Sequence, residues 1–127
     1  MEADPTLSIV IITKDTRELL EGLFYSIEKD TSLASLGREI IVIDNASTDG
    51  TEEYVRRACP DARYVRNDRN AGFAVAVNQG AKASAGRYVL LLNSDTRLIE
   101  GEVAKMVAAA ESIPDLGLMG PQLVYED

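Results

Sequence analysis

Hydrophobic positions along this chain fall into two kinds of run. The first kind is short and nearly unbroken, as in Leu7–Ile12, Ile40–Ile43 and Tyr88–Leu92. Apolar runs that do not alternate read as strands covered on both faces, the pattern of a parallel sheet. The second kind recurs every three or four residues. Leu19, Leu20, Leu23, Phe24 and Ile27 share one face of a helix that ends near Lys29, with a loop following through Gly37. Tyr54, Val55 and Ala58 belong to a second helix, stopped at Pro60. A third helix, rich in Ala and Val, covers Phe73 to Ser84. A fourth covers Glu100 to Ser112, with Val103, Met106, Val107 and Ala110 turned inward.

The strands between them are Leu7–Ile12, Glu39–Ile43, Ala62–Val65 and Arg87–Leu92, and two further short strands are predicted at Leu116–Met119 and Gln122–Tyr125. Asp15 with Glu18, and Asp49 with Glu52, have the spacing of capping boxes. Met1–Thr6 is polar and reads as a flexible leader, leaving 7–127 as one domain. Strand and helix alternate throughout. With right-handed crossovers this gives an α/β fold: a three-layer α/β/α sandwich with a mainly parallel sheet. The chain stops just after a strand, so the fold reads as truncated at its C-terminus.

Composition narrows the chemistry. A net charge of −8 over 127 residues excludes a duplex nucleic-acid binder, which needs a basic stripe against phosphate. There is no histidine, so proton transfer falls to carboxylates, Lys or Tyr. The single cysteine, Cys59, reads as a packing residue. No signal-peptide pattern or membrane-length apolar stretch occurs, and the expected location is cytoplasmic, extending to the inner face of the membrane.

Two strands run straight into acidic, polar turns: Ile40–Ile43 into Asp44-Asn45-Ala46-Ser47-Thr48-Asp49-Gly50, and Tyr88–Leu92 into Asn93-Ser94-Asp95-Thr96. Ligands of open α/β sheets bind beyond the carboxyl ends of the strands. Carboxylates there can take a hydroxyl, an N–H or a metal ion, which points to a polar or phosphorylated ligand. Familiar phosphate cradles are missing: the turn after the first strand is Thr13-Lys14-Asp15-Thr16, without the glycines of a dinucleotide fold, and no P-loop pattern occurs. The 44–50 turn also fails as a calcium loop, because Ala46 falls at a ligand position and Gly50 one place late.

The segments IVIIT, IIVIDNASTDGT and NAGFAVAVNQGAKASAGRYVLLLNSDT resemble the nucleotide-binding half of family 2 glycosyltransferases, which have the GT-A fold. In detail they are similar to rhamnosyltransferase-like members that build cell-surface polysaccharides. The likeness runs from about Leu7 to Glu100. It implies a nucleotide-diphosphate sugar donor, UDP- or dTDP-linked, and a glycan or lipid-linked acceptor. It also implies nucleotide contacts at Thr13, Asp15, Asp44, Asn45, Gly72, Asn78 and Asn93. Asp44 would accept from a base N–H or from ribose hydroxyls. Asp95 matches the last acid of the DxD-type motif that ligates Mg²⁺ or Mn²⁺.

This sequence departs from the family pattern at four of these places. Asn93 stands where many members have the motif's first acid, and Ser94 replaces a frequent proline. Asp15 stands where the family has Asn, and Lys14 where an aromatic often stacks on the base. The family's catalytic base comes from a later segment, so none is assigned here.

Local readings compete at several of these residues. Asp15 and Asp49 read first as helix caps, Ser47 as a turn stabiliser and Arg69 as an exposed loop residue. Gly72 serves a tight turn or a close ligand approach equally well, and Asn78, not Gln79, is the better candidate to face the site. Alternative functions are a non-catalytic nucleotide-sugar-binding module, which could self-associate as a homo-oligomer, and a sugar nucleotidyltransferase, whose glycine-rich basic loop is missing. A signalling receiver would need a lysine after its last strand, and none follows suitably.

Overall fold

A computed structural model describes residues 3–125. Its strands are β1 (Leu7–Thr13), β2 (Arg38–Asp44), β3 (Arg63–Arg66) and β4 (Tyr88–Asn93). Its helices are α1 (Arg17–Lys29), α2 (Thr31–Leu36), α3 (Thr51–Ala58), α4 (Phe73–Ala83) and α5 (Glu102–Glu111). The strands form one parallel sheet in the order β3-β2-β1-β4. Thr13 lies opposite Asp44, Ile12 opposite Asn93, and Asp44 opposite Arg66. The carboxyl ends are therefore level, and every turn that leaves them opens on the same edge of the sheet.

Alternate residues of each strand serve the two faces. Leu7, Ile9 and Ile11 join Ile40, Val42 and Leu92 beneath Leu20, Leu23, Phe24 and Ile27 of α1, Val55 of α3, and Val103 and Val107 of α5. On the other face Val10, Ile41 and Ile43 pack against Ala76 of α4. Each fully buried aliphatic side chain contributes about 1.5–3 kcal/mol. The helix α4 approaches closely because Gly80 has no side chain: a Cβ there would lie 2.2 Å from Val10 Cγ1.

The three-layer parallel sandwich agrees with the sequence pattern, with several local differences. The second face is covered only in part. Val89 and Leu91 share the face of Val10, yet they are 43% and 45% exposed, because no helix among the described residues lies over them. A non-alternating run reports hydrophobicity, and β4 shows that it does not guarantee cover. Leu116–Met119 and Gln122–Tyr125 form no strands, having no partner strand to pair with; Leu118, Leu123, Val124 and Tyr125 are exposed. The expected 30–37 loop contains α2, opened by the Asp30 carboxylate accepting from Ser32 N at 3.1 Å. Leu19 is half-exposed, off the buried face of α1.

The expected capping boxes are also redistributed. Thr16, not Asp15, is the N-cap of α1, and Gly50, not Asp49, is that of α3. Asp49 Oδ2 accepts from Arg17 N at 3.0 Å and its Oδ1 from Thr51 N at 3.2 Å. One carboxylate thus serves the first N–H of two helices, where the helix dipoles favour negative charge. Of the predicted leader, residues 1 and 2 lie outside the described residues. Thr6 N donates to Gly37 O at 2.9 Å, and Tyr88 N to Thr6 O at 3.0 Å.

Candidate functional site

The turns that leave β1, β2 and β4, with the approach to α4, surround a hollow of about 350 Å³. Thr13, Lys14, Asn45, Asn70, Asn93 and Asp95 give it polar walls, and Leu19 and Phe73 give it apolar ones. Phe73 is 60% exposed, which leaves its ring available to a ligand face.

Hydroxyl groups tie the β4 turn to the β1 turn. Thr16 Oγ1 donates to Ser94 Oγ at 2.6 Å and lies 2.7 Å from Thr13 Oγ1. Thr16 has one hydroxyl hydrogen and gives it to Ser94, so Thr13 is the donor in the other pair. The β1 and β2 turns are joined more densely. Asp15 N donates to Ser47 Oγ at 2.8 Å, Thr48 N to Asp15 Oδ1 at 2.7 Å, and Lys14 Nζ to Ala46 O at 2.9 Å. Asp15 and Ala46 both adopt left-handed backbone, with φ of 51° and 64°. Such strain in residues other than glycine persists only where surrounding bonds over-determine it.

Asp44 is fully buried beneath this joint. Its Oδ1 accepts from Ser47 N at 2.9 Å and Ser47 Oγ at 2.5 Å; its Oδ2 accepts from the Tyr64 hydroxyl and from Arg66 Nη1 at 3.2 Å. A carboxylate offers about four lone-pair sites, and here four donors fill them. Burial, then the hydrogen bond to the Asp44 carboxylate, pushes the Tyr64 phenol well above the ordinary tyrosine range. A direct nucleotide contact by Asp44, expected from its position after an apolar strand, has neither access nor a free lone pair in this geometry.

Asn45, the next residue, lines the hollow instead. Its Oδ1 accepts from Asn67 Nδ2 at 2.8 Å and Ala71 N at 3.3 Å, and its Nδ2 donates to Gly72 O at 3.3 Å. These bonds anchor the 67–72 loop that leads into α4.

The other expected residues divide in the same way. Thr13, Asn93 and Asp95 line the hollow with Asn45. Asp15 borders a neighbouring depression formed by Arg17, Glu18 and Asp49. Its carboxyl is held below its usual range by the hydrogen bond from Lys14 and then by the Thr48 N–H. Gly72 has φ 88° and the space a Cβ would occupy is open, so left-handed backbone, not crowding, accounts for glycine here. Asn78 is exposed on α4 and does not line the hollow, whereas Gln79 forms a reciprocal amide pair with Asn67 at 2.8 and 2.9 Å. Thr16, Tyr64, Arg66, Asn67 and Gln79 had no local signal in the sequence, because each acts on a turn far away along the chain.

Among the described residues no three His, Cys, Asp or Glu side chains gather as a metal cluster. Asp95 and Asn93 nevertheless present hard oxygen donors on one wall. That suits a divalent cation of the kind that takes one or two carboxylates and completes its shell with phosphate oxygens and water.

Residues 8–127 match the family model described as "Glycosyl transferase family 2". The N-acetylglucosaminyl-diphospho-decaprenol L-rhamnosyltransferase of Mycobacterium tuberculosis is 28% identical over 126 residues, covering 91% of this chain and 40% of that protein. A mannosyltransferase from Pyrobaculum calidifontis, solved with GDP-Man and Mn²⁺, superposes with a TM-score of 0.72 at 24% identity, over 89% of this chain and 33% of that one. Staphylococcus aureus TarS, solved with UDP, gives 0.68 at 25% identity over 82% and 31%. The fold is that of these GT-A transferases. The chain spans less than half the length of the first curated relatives it matches, from 14% to 43%.

Proposed function

We propose that this chain, which belongs to glycosyl transferase family 2, binds the nucleotide-diphosphate sugar in a glycosyl transfer, as the donor-binding part of a longer enzyme. One observation carries this most: the hollow lies beyond the carboxyl ends of β1, β2 and β4, with a carboxylate at one end and amide and ammonium groups at the other. Residues 7–127 form the donor-binding unit. The donor is UDP- or dTDP-linked, and the acceptor is a glycan or lipid-linked hydroxyl in cell-surface polysaccharide synthesis at the cytoplasmic face of a membrane. No helix among the described residues is itself long and apolar enough to cross one.

Thr13, Asn45 and Asn93 contact the nucleotide from the walls. Asp15, Asp44 and Gly72 act one step removed, by fixing the turns that carry those walls; Asn78, exposed on α4 and outside the hollow, is given no contact. Asp95, with the Asn93 amide oxygen, would hold Mg²⁺ or Mn²⁺. Such an ion, when bound, supplies positive charge to the diphosphate leaving group. Among the described residues Asp95 is the only acid lining the hollow, and it is committed to that task. We assign the base that takes the acceptor proton to another part of the longer enzyme, a reading supported by the small share of its curated relatives that this chain spans. On its own the chain behaves as a nucleotide-sugar-binding module.

Isothermal titration with UDP and dTDP, with and without Mn²⁺, tests this. Binding should strengthen with Mn²⁺, and Asp95→Asn should remove that gain without moving the melting temperature. No nucleotide binding under either condition refutes the donor role. Multiple-turnover transfer by this chain alone refutes the placement of the base.

A further inference from the structure

Among the described residues Lys14 is the one cationic side chain lining the hollow, and two contacts hold its ammonium. Its Nζ donates to Ala46 O at 2.9 Å and pairs with Asp15 Oδ2 at 2.8 Å, while its side chain stays 40% exposed. An ammonium has three N–H donors and no acceptor. Two are used by the turn, so a third is presented at a point already chosen, with little rotamer freedom left to lose on binding.

The sheet order says which part of a ligand meets it. β1 lies between β2 and β4. Asp95 follows β4, whereas Ala46, to which Lys14 leans, follows β2. Given the donor role proposed above, with the diphosphate at Asp95, the nucleobase occupies the β2 side, between Lys14, Asn45 and the Phe73 ring. Asn45 has little left to read a base with: its oxygen accepts twice and its amide donates to Gly72 O.

We propose that the Lys14 ammonium reads the nucleobase, selecting bases that present a ring carbonyl where cytosine and adenine carry an amino group. The carbonyl accepts the third N–H in a charge-assisted bond. An amino group at the same place sets donor against donor, and the mismatch acts as a repulsive filter. Uracil, thymine and guanine pass this filter; cytosine and adenine do not.

Titration of the 127-residue chain with UDP and with CDP, both with Mn²⁺, separates base reading from a purely structural strap between two turns. UDP should bind about tenfold more tightly than CDP, the low end for a hydrogen bond to a charged group at a half-exposed site. Lys14→Met should weaken UDP about tenfold and change CDP by about twofold at most, collapsing the preference, and Lys14→Arg should retain it. A strap lost from the turns would weaken both nucleotides together. Should Lys14→Met fail to fold, Lys14→Gln, which can both donate and accept, should erase the preference instead. An unchanged preference in these variants, or none in the wild-type chain, overturns the role of Lys14 and leaves donor binding standing. Failure of the wild-type chain to bind either nucleotide overturns the donor role and this one with it.

Discussion

Replacing Asp44 by Asn isolates what the buried carboxylate does. The side chains are nearly isosteric, and the amide oxygen can keep both bonds from Ser47, at 2.9 and 2.5 Å. The amide nitrogen then replaces Oδ2. It confronts Arg66 Nη1, now 3.2 Å from an acceptor, and obliges the Tyr64 hydroxyl to turn and accept. A hydrogen bond to a charged group contributes about 1.5–3 kcal/mol, and Arg66, 38% exposed, recovers part of its loss from water. The expected destabilisation is about 2 kcal/mol. Asp44→Ala, which strands Ser47 N and the tyrosine hydroxyl as well, should cost about 3–5 kcal/mol. Urea unfolding followed by circular dichroism gives both values from the midpoint shift at constant slope. Asp44→Asn combined with Tyr64→Phe should cost less than the sum of the two, because both act on Oδ2. Suppose instead that Asp44→Asn unfolds within about 0.5 kcal/mol of wild type while UDP affinity falls about tenfold. The carboxylate would then be acting on ligand and not on the turn, and the structural role given to it would be wrong.

Ala46 holds φ at 64°, so Ala46→Gly should raise stability by about 1 kcal/mol, seen as a higher melting temperature. At Gly80, Ala brings helix propensity of about 1 kcal/mol but meets Val10 Cγ1 at 2.2 Å. Overpacking of up to about 3 kcal/mol should win, for a net loss of about 2 kcal/mol. In a Val10→Ala background that loss should shrink or reverse. Asp30 is buried, which would raise its pKa, yet hydrogen bonds from Ser32 and Gly101 N outweigh this and hold it below the ordinary carboxylate range. Its stabilisation is therefore full above the unfolded carboxylate pKa of about 3.9 and fades as pH falls through the lower folded value. Asp30→Asn should flatten the acid limb of stability against pH, measured by urea unfolding at successive pH values.

Much of the fold was legible because it follows from local periodicity. The apolar runs at Leu7–Ile12 and Ile40–Ile43 read as covered strands, and β1 and β2 are buried on both faces. The same pattern in β4 overstated its cover, since hydrophobicity does not report whether a neighbour exists. The site was half legible. Acidic turns after strands located it, but at the end of β2 a one-residue step decides which side chain enters the core and which faces the ligand. Asp44 took the first place and Asn45 the second. The bond from Thr16 to Ser94 joins turns 78 residues apart, and that from Asn67 to Gln79 ties a turn to a helix residue 12 positions on. Side chains of that kind look like ordinary loop or helix-surface residues until the sheet brings their turns together.

The line of hydroxyls from Thr13 through Thr16 to Ser94 has a direction. Each hydrogen is passed towards β4, so the row is polarised like a short wire with its positive end at Ser94. Ser94, at the end of the row, lines the hollow next to Asp95, and its oxygen is already taken by the Thr16 hydroxyl. At the wall that meets the most negative part of the proposed ligand, the row thus ends in a hydroxyl whose oxygen already accepts, so that what it keeps for a ligand is the capacity to donate.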